Sequence, residues 1–330
     1  MRWKCLLFLP FFFLACNNDD SAGPYDEVLV AAPYSGITDS IRQSPKDPEL
    51  YFRRAVLLNK NGLMDPALLD FRKAWSIARE ERYAVGVANI LIEKRADSTL
   101  PFMEEAVKAL PESMYLQLTL ARIYQEKNQP DKALEICRRI LASEPEQVNT
   151  LILQADILES KKDTTGMIAS LEKAYLLLPG NLELGHRLAY QYAESGNPRA
   201  LTLADSLVLR DPQHIFAEPF YIKGNYYANT GDQAKAIQAF NQAISRDHRY
   251  LNAYIEKGKI FLKQKKTAEA MSTFKLANTI NPAFADAWYW MGRCQEISGQ
   301  PEDARLNYEK AYSLDKNFAE AKEALDQLSK

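Results

Sequence analysis

A chain made only of helices, stacked in pairs, is the fold the sequence predicts, and three observations carry that prediction. In the stretch Tyr254–Pro282, Tyr254, Gly258 and Phe261 fall at helical spacing. Ala270, Phe274 and Ala277 repeat that spacing after a polar turn, so the stretch reads as two amphipathic helices. Second, Gly224, Gly258 and Gly292 recur at one spacing of 34 residues. Third, 330 residues with 47% hydrophobic content, only 13 glycines and few β-branched runs favour helix over sheet. An isolated helix pair of this length cannot bury both apolar faces, so each pair needs a neighbour.

The elements follow in order. Arg2 and Lys4 give a basic start, and residues 6–15, LLFLPFFFLA, form an apolar run interrupted by Pro10. The run is too short to span a bilayer, so residues 1–15 read as a signal peptide. Residues 17–24, NNDDSAGP, are polar and rich in turn formers, the composition of a flexible tether. Residues 25–47 show little periodicity beyond a short lead-in helix from Ile37 to Gln43.

From Pro48 the offsets seen around Gly258 begin. Taking the small residue of each first helix as origin, Tyr51, Ala55, Leu58, Ala67, Phe71 and Ala74 occupy −4, 0, +3, +12, +16 and +19. Residues 82–112 are degenerate: Ala106 and Pro111 fit a repeat's end, while the helix around 85–92 shows no clear register and its turn reads as short. Copies then centre on Ala121, Ala155, Ala189, Gly224, Gly258 and Gly292. The Ala189 copy fits if its turn has lost one residue, with about two extra residues following within 213–219. Proline at +24 (Pro111, Pro145, Pro179, Pro212, Pro282) biases the residue before it away from helix and suits the first turn of the next one. Residues 319–330 read as a polar helix that caps the last apolar face.

This spacing resembles the tetratricopeptide repeat over residues 48–318, in eight copies. The resemblance implies an all-α, right-handed solenoid with a C-terminal capping helix. A second resemblance sits at the N-terminus. Phe13-Leu14-Ala15-Cys16 resembles the bacterial lipobox, in which the cysteine is lipid-modified and becomes the new N-terminus. Residues 16–47 would then be the lipidated Cys16, the tether and the lead-in helix; the alternative is an ordinary secretory signal with an incidental cysteine. Asn17 stands where an aspartate can signal inner-membrane retention, so the resemblance implies a Gram-negative outer-membrane lipoprotein. Asp19-Asp20 is open to two readings, a surface-export tether or a solvated linker.

Other chemistries find little support. The 41 basic and 43 acidic residues leave no electrostatic footprint for nucleic acid. The three histidines, His186, His214 and His248, lack metal-ligand spacing, and no HExxH, CxxC or phosphate loop occurs. Neither metal, cofactor nor enzymatic activity is therefore expected. Cys137 takes a +16 place and reads as a small buried hydrophobe, too many repeats from Cys294 for a disulfide.

The family's first helices line a concave groove, mainly at −3 and +1. Carried over, the resemblance places Phe52, His186, Tyr221, Ile255 and Tyr289 in the −3 row. It places Arg122, Asp156, Tyr190, Asn225, Lys259 and Arg293 in the +1 row. Tyrosine with Asn, Lys and Arg suits peptide recognition; the other reading of Tyr221 and Tyr289 is packing between adjacent first helices. No readable copy pairs Lys at −3 with Asn at +1, the family's clamp for a chaperone's terminal carboxylate, since Tyr221 accompanies Asn225. The expectation is an envelope adaptor or scaffold binding a peptide or protein partner. The alternative is a cell-surface glycan-capture lipoprotein, against which the short, regular turns argue.

Overall fold

A computed structural model describes residues 24–211 and 216–328. Among them it shows nineteen helices and no strand. Residues 1–15, read from the sequence as a signal peptide, and Cys16 lie outside the described residues. The described residues pack as two compact units, divided between Tyr124 and Gln125.

The first unit opens with α1 (Asp26–Val30) and α2 (Ser35–Gln43), then the pairs α3 (Pro48–Lys60)/α4 (Met64–Ile77) and α5 (Glu81–Glu93)/α6 (Thr99–Ala109). It ends within α7 (Met114–Glu126). The lead-in is thus larger than expected: α2 begins at Ser35, and α1 precedes it. A buried polar chain ties both to the first pair. Arg54 donates to Asp70 through Nε (2.7 Å) and Nη2 (2.8 Å), and through Nη1 to Thr38 Oγ1 at 2.9 Å. Thr38 Oγ1 in turn donates to the Leu29 carbonyl at 2.6 Å. Burial nonetheless pushes the Asp70 carboxyl above its ordinary range, outweighing the adjacent guanidinium.

The degenerate stretch has a register after all. Tyr83, Val87 and Ile90 are buried at −4, 0 and +3, with Thr99, Met103 and Ala106 at +12, +16 and +19. Valine, threonine and methionine disguise positions held elsewhere by Gly or Ala and by Phe or Leu. The turn, at residues 94–98, is longer than the three-residue turn 61–63 between α3 and α4. Helix α6 starts late because Pro101, lacking an N–H, fits only within a first turn.

The second unit begins with α8 (Pro130–Ser143) and continues through α9 (Val148–Ser160)/α10 (Thr164–Leu177) and α11 (Leu182–Glu194)/α12 (Arg199–Leu209). There follow α13 (Glu218–Asn229)/α14 (Gln233–Arg246), α15 (Leu251–Lys263)/α16 (Thr267–Ile280), α17 (Ala285–Ile297)/α18 (Pro301–Leu314) and α19 (Ala319–Leu328). The capping helix packs on α18 and buries Ala321 and Ala324.

Three devices recur. The first is the turn within a pair: the first helix ends in a left-handed residue, as at Gly62 (φ 78°) and Lys265 (φ 61°). The next amide, Leu63 or Lys266, then bonds back to the Leu58 or Phe261 carbonyl, satisfying an orphan acceptor of the helix end. The second seals the approach to four of the first helices, α3, α7, α15 and α17. Tyr51 Oη, Gln117 Nε2, Tyr254 Oη and Trp288 Nε1 each donate to the carbonyl six residues earlier, on Pro45, Pro111, His248 and Pro282. The third is a small residue under a ring. A Cβ added to Gly258 would lie 2.3 Å from Phe274 Cε1, and one on Gly224 equally close to Phe240 Cε1. Only glycine admits these approaches. Cys137 and Cys294 are both free and buried, and burial pushes each thiol up to about 11.

Candidate functional site

Helix periodicity separates two jobs on each first helix. Offsets −4, 0 and +3 face the partner helix; the −3 and +1 rows lie on a neighbouring stripe of the first helix. In the second unit successive first helices pack on one another, α11 on α13, α13 on α15 and α15 on α17. Their remaining stripes therefore adjoin as one inner face.

On this face the structure gathers Tyr190, Tyr221, Asn225 and Lys259 from the predicted rows, with His186 at its edge. The Tyr190 hydroxyl lies beside Glu194, and Asn225 Nδ2 donates to Glu194 Oε1 at 3.3 Å with the Tyr221 hydroxyl close by. The Tyr221 ring lies 5.2 Å from Tyr250 and 5.7 Å from Phe240. Lys259 Nζ sits 2.8 Å from Glu256 Oε1 and 5.6 Å from the centre of the Trp290 ring. At the edge His186 Nδ1 pairs with Glu218 Oε2 at 2.7 Å.

The electrostatics are those of a partly desolvated acidic surface. Burial, then the Glu194 carboxylate, pushes the Tyr190 phenol up to about 12. Burial raises Tyr221 and Tyr250 as well. Glu194 and Asp286 are both held above the ordinary carboxylate range, burial being the main cause and the Glu256 charge a lesser one. Glu218 runs the other way, lowered by its hydrogen bond to His186.

The remaining predicted residues are not part of that cluster. Ile255 is a correction: only 5% exposed, it belongs to the apolar core with Tyr254, Phe274 and Met291, so it packs and presents nothing to a groove. Tyr289 meets its packing reading, with Trp290, Tyr308 and Phe318 rings at 5.2, 5.6 and 5.0 Å. Arg293 pairs with Glu296 at 3.3 Å, and Asp156 with Arg187 at 2.5 Å. In the first unit Arg122 is exposed, and Phe52 lies half-buried between Phe71 and Tyr83 with Arg82 over its ring. Phe52 also lines an open cleft of about 750 Å³ beside Val85, Gly86 and Asn89.

Glu194, Glu218, Glu256, Asp286, Tyr250 and Trp290 were absent from the predicted rows. A signal for three of them was present. The stripe continues by helical turns to −6 and +5, which are Glu218 and Asp286 at −6 and Glu194 at +5.

Paired helices with sealed turns and a polar, aromatic inner face define a helical-repeat interaction scaffold. The comparisons name the class. Three family profiles, each described as tetratricopeptide repeat, match residues 91–157, residues 217–248 and 251–284, and residues 285–318. The chain belongs to the tetratricopeptide repeat family, whose members are protein-interaction scaffolds and typically non-catalytic. A solved tetratricopeptide repeat protein from Parabacteroides merdae ATCC 43184 shares the fold, with a TM-score of 0.61 at 17% identity. That match covers 75% of this chain and 98% of the other. Heat shock protein STI1 of Saccharomyces cerevisiae is 28% identical over 34% of this chain and 20% of its own length. RNA polymerase II-associated protein 3 of Xenopus tropicalis is 30% identical over 33% and 16%. The chain thus spans a fifth or less of these curated relatives.

Proposed function

We propose that the chain is a lipid-anchored interaction scaffold of a Gram-negative cell envelope, tethered through Cys16 to the outer membrane and holding a protein partner on the inner face of its second unit. The lipobox-like Phe13-Leu14-Ala15-Cys16 and the polar residues after it support the anchor. The binding face rests on one observation: Tyr190, 37% exposed, stands among Glu194, Asn225, Glu256 and Lys259 on helices whose other faces hold the stack. Tyrosine combines apolar area with a hydroxyl, the mixture that peptide-binding surfaces favour.

Two experiments test the two halves. Metabolic labelling with an alkynyl fatty acid tags the wild-type chain and not Cys16→Ser; equal labelling of both overturns the anchor. A photo-crosslinking amino acid at position 190 traps a discrete envelope protein in intact cells, while one at the outward-facing Lys275 does not. Identical products from both positions overturn the face.

A further inference from the structure

We propose that the patch around Glu194 and Glu256 seats a lysine or arginine side chain of the partner, which makes this inner face selective for cationic polypeptide segments. The inference rests on the inner-face reading above and specifies its ligand.

The charge census comes first. Glu194, Glu218, Glu256 and Asp286 project from α11, α13, α15 and α17, and Lys259 is the one cation gathered among them. Other cations of these helices lie elsewhere: Arg187 pairs with Asp156 and Glu159, Lys223 with Asp205 and Arg293 with Glu296, Lys257 sits over the Phe261 ring, and Lys263 is exposed at the C-terminal end of α15. An acidic peptide or a phosphate backbone would therefore meet several carboxylates and a single, already paired ammonium. Like charges brought together on a partly desolvated surface cost binding, whereas a cation gains from each.

The chain itself supplies the second observation. Lys259 places its ammonium between the Glu256 carboxylate and the Trp290 ring, a carboxylate on one side and a π face on the other. One turn of partner chain could repeat that arrangement at Glu194, where a carboxylate and an exposed ring recur and the Lys259 charge acts from a distance without pairing. Glu194 accepts from a neutral donor, Asn225 Nδ2, and the Tyr190 hydroxyl lies beside it. Tyr190 supplies the exposed ring. Asn225 is 6% exposed and donates to Glu194, so the carboxylate is held in place before any ligand arrives. That preorganisation lowers the ordering cost of binding. Partial burial, which holds Glu194 above the ordinary carboxylate range, marks a charge that an arriving ammonium or guanidinium would stabilise.

The test pans a phage library of random dodecapeptides against the full chain and against Glu194→Gln/Glu256→Gln. Wild type is expected to enrich peptides containing Lys or Arg, and the double variant, with unchanged helicity by circular dichroism, to lose that enrichment. The most enriched peptide, resynthesised, should bind Glu194→Gln roughly tenfold more weakly, the scale of one charge-assisted contact. This single variant carries the comparison if the double one loses helicity. Glu194→Lys should shift selection towards acidic peptides. Enriched peptides without basic residues, or basic enrichment that survives loss of the carboxylates, overturn the cationic ligand and leave the inner face standing. Failure of wild type to enrich any peptide overturns both.

Discussion

The first helix pair and the later ones differ at one matched place. At offsets −1 and +15, α3 and α4 are joined by the buried Arg54–Asp70 ion pair. At the same offsets α9 and α10 carry Gln154 and Ser170, linked by a 3.0 Å hydrogen bond, and α15 and α16 carry Lys257 and Thr273. As the polar link fades, close packing takes over: position 0 passes from Ala55 and Ala155 to Gly224, Gly258 and Gly292, each with an aromatic ring pressed onto its Cα. The difference teaches that a single helix-pair geometry can be specified either by directed charge or by shape. Ion pairing constrains orientation at a desolvation cost; ring-on-glycine packing gains dispersion and apolar burial at the cost of tolerating no other residue.

The sharpest way to break the comparison is Asp70→Ala. It strands the Arg54 guanidinium in the core and should destabilise the first pair by about 3–5 kcal/mol, read as faster amide hydrogen exchange in α2, α3 and α4. Replacing both partners, Arg54→Met with Asp70→Leu, has the opposite sign. Because burial outweighs the guanidinium at Asp70, the apolar pair should be neutral or more stable by about 1–4 kcal/mol. A double variant as unstable as Asp70→Ala would show that the charges themselves specify the pair. On the other side, Gly258→Ala pushes a methyl into Phe274 and should cost about 1–3 kcal/mol in chemical denaturation. Ala55→Gly, which removes a methyl and adds none, should show the smaller helix-propensity loss of about 1 kcal/mol. The smallest effect is Tyr254→Phe, which removes the hydroxyl donated to the His248 carbonyl and should cost about 0.5–1.5 kcal/mol.

Sequence reading reached the helix pairs through the residues that pack, because Gly, Ala and Phe at fixed offsets leave a periodic mark. It lost the register at 82–112, where Val87, Thr99 and Met103 do the same packing with side chains of other classes. The α1 helix was missed for a related reason: five residues are too few to show a period. The Arg54–Asp70 link was invisible because a charged residue in a helix pattern marks solvent unless its partner, sixteen positions away, is known to face it. At the inner face, Tyr190, Tyr221, Asn225 and Lys259 stand at the two offsets that the family resemblance implies. Ile255 did not behave as its offset implied, since an aliphatic side chain on the shared edge turns inward to the core. Glu194, Glu218 and Asp286 escaped because the rows were read at two offsets, while the helix carries the stripe a full turn further in both directions; Glu256, at −2, lies between the rows.

The hydrogen bonds from Tyr51, Gln117, Tyr254 and Trp288 each close within six residues of their own segment. A repeat cut just before that carbonyl and rejoined elsewhere takes its seal with it and strands no acceptor. Gain or loss of whole repeats by duplication and deletion is thus cheap at those junctions and costly anywhere else along the chain. Natural variation in the length of such proteins is therefore expected to proceed in whole repeats, with breakpoints at the turn before each first helix.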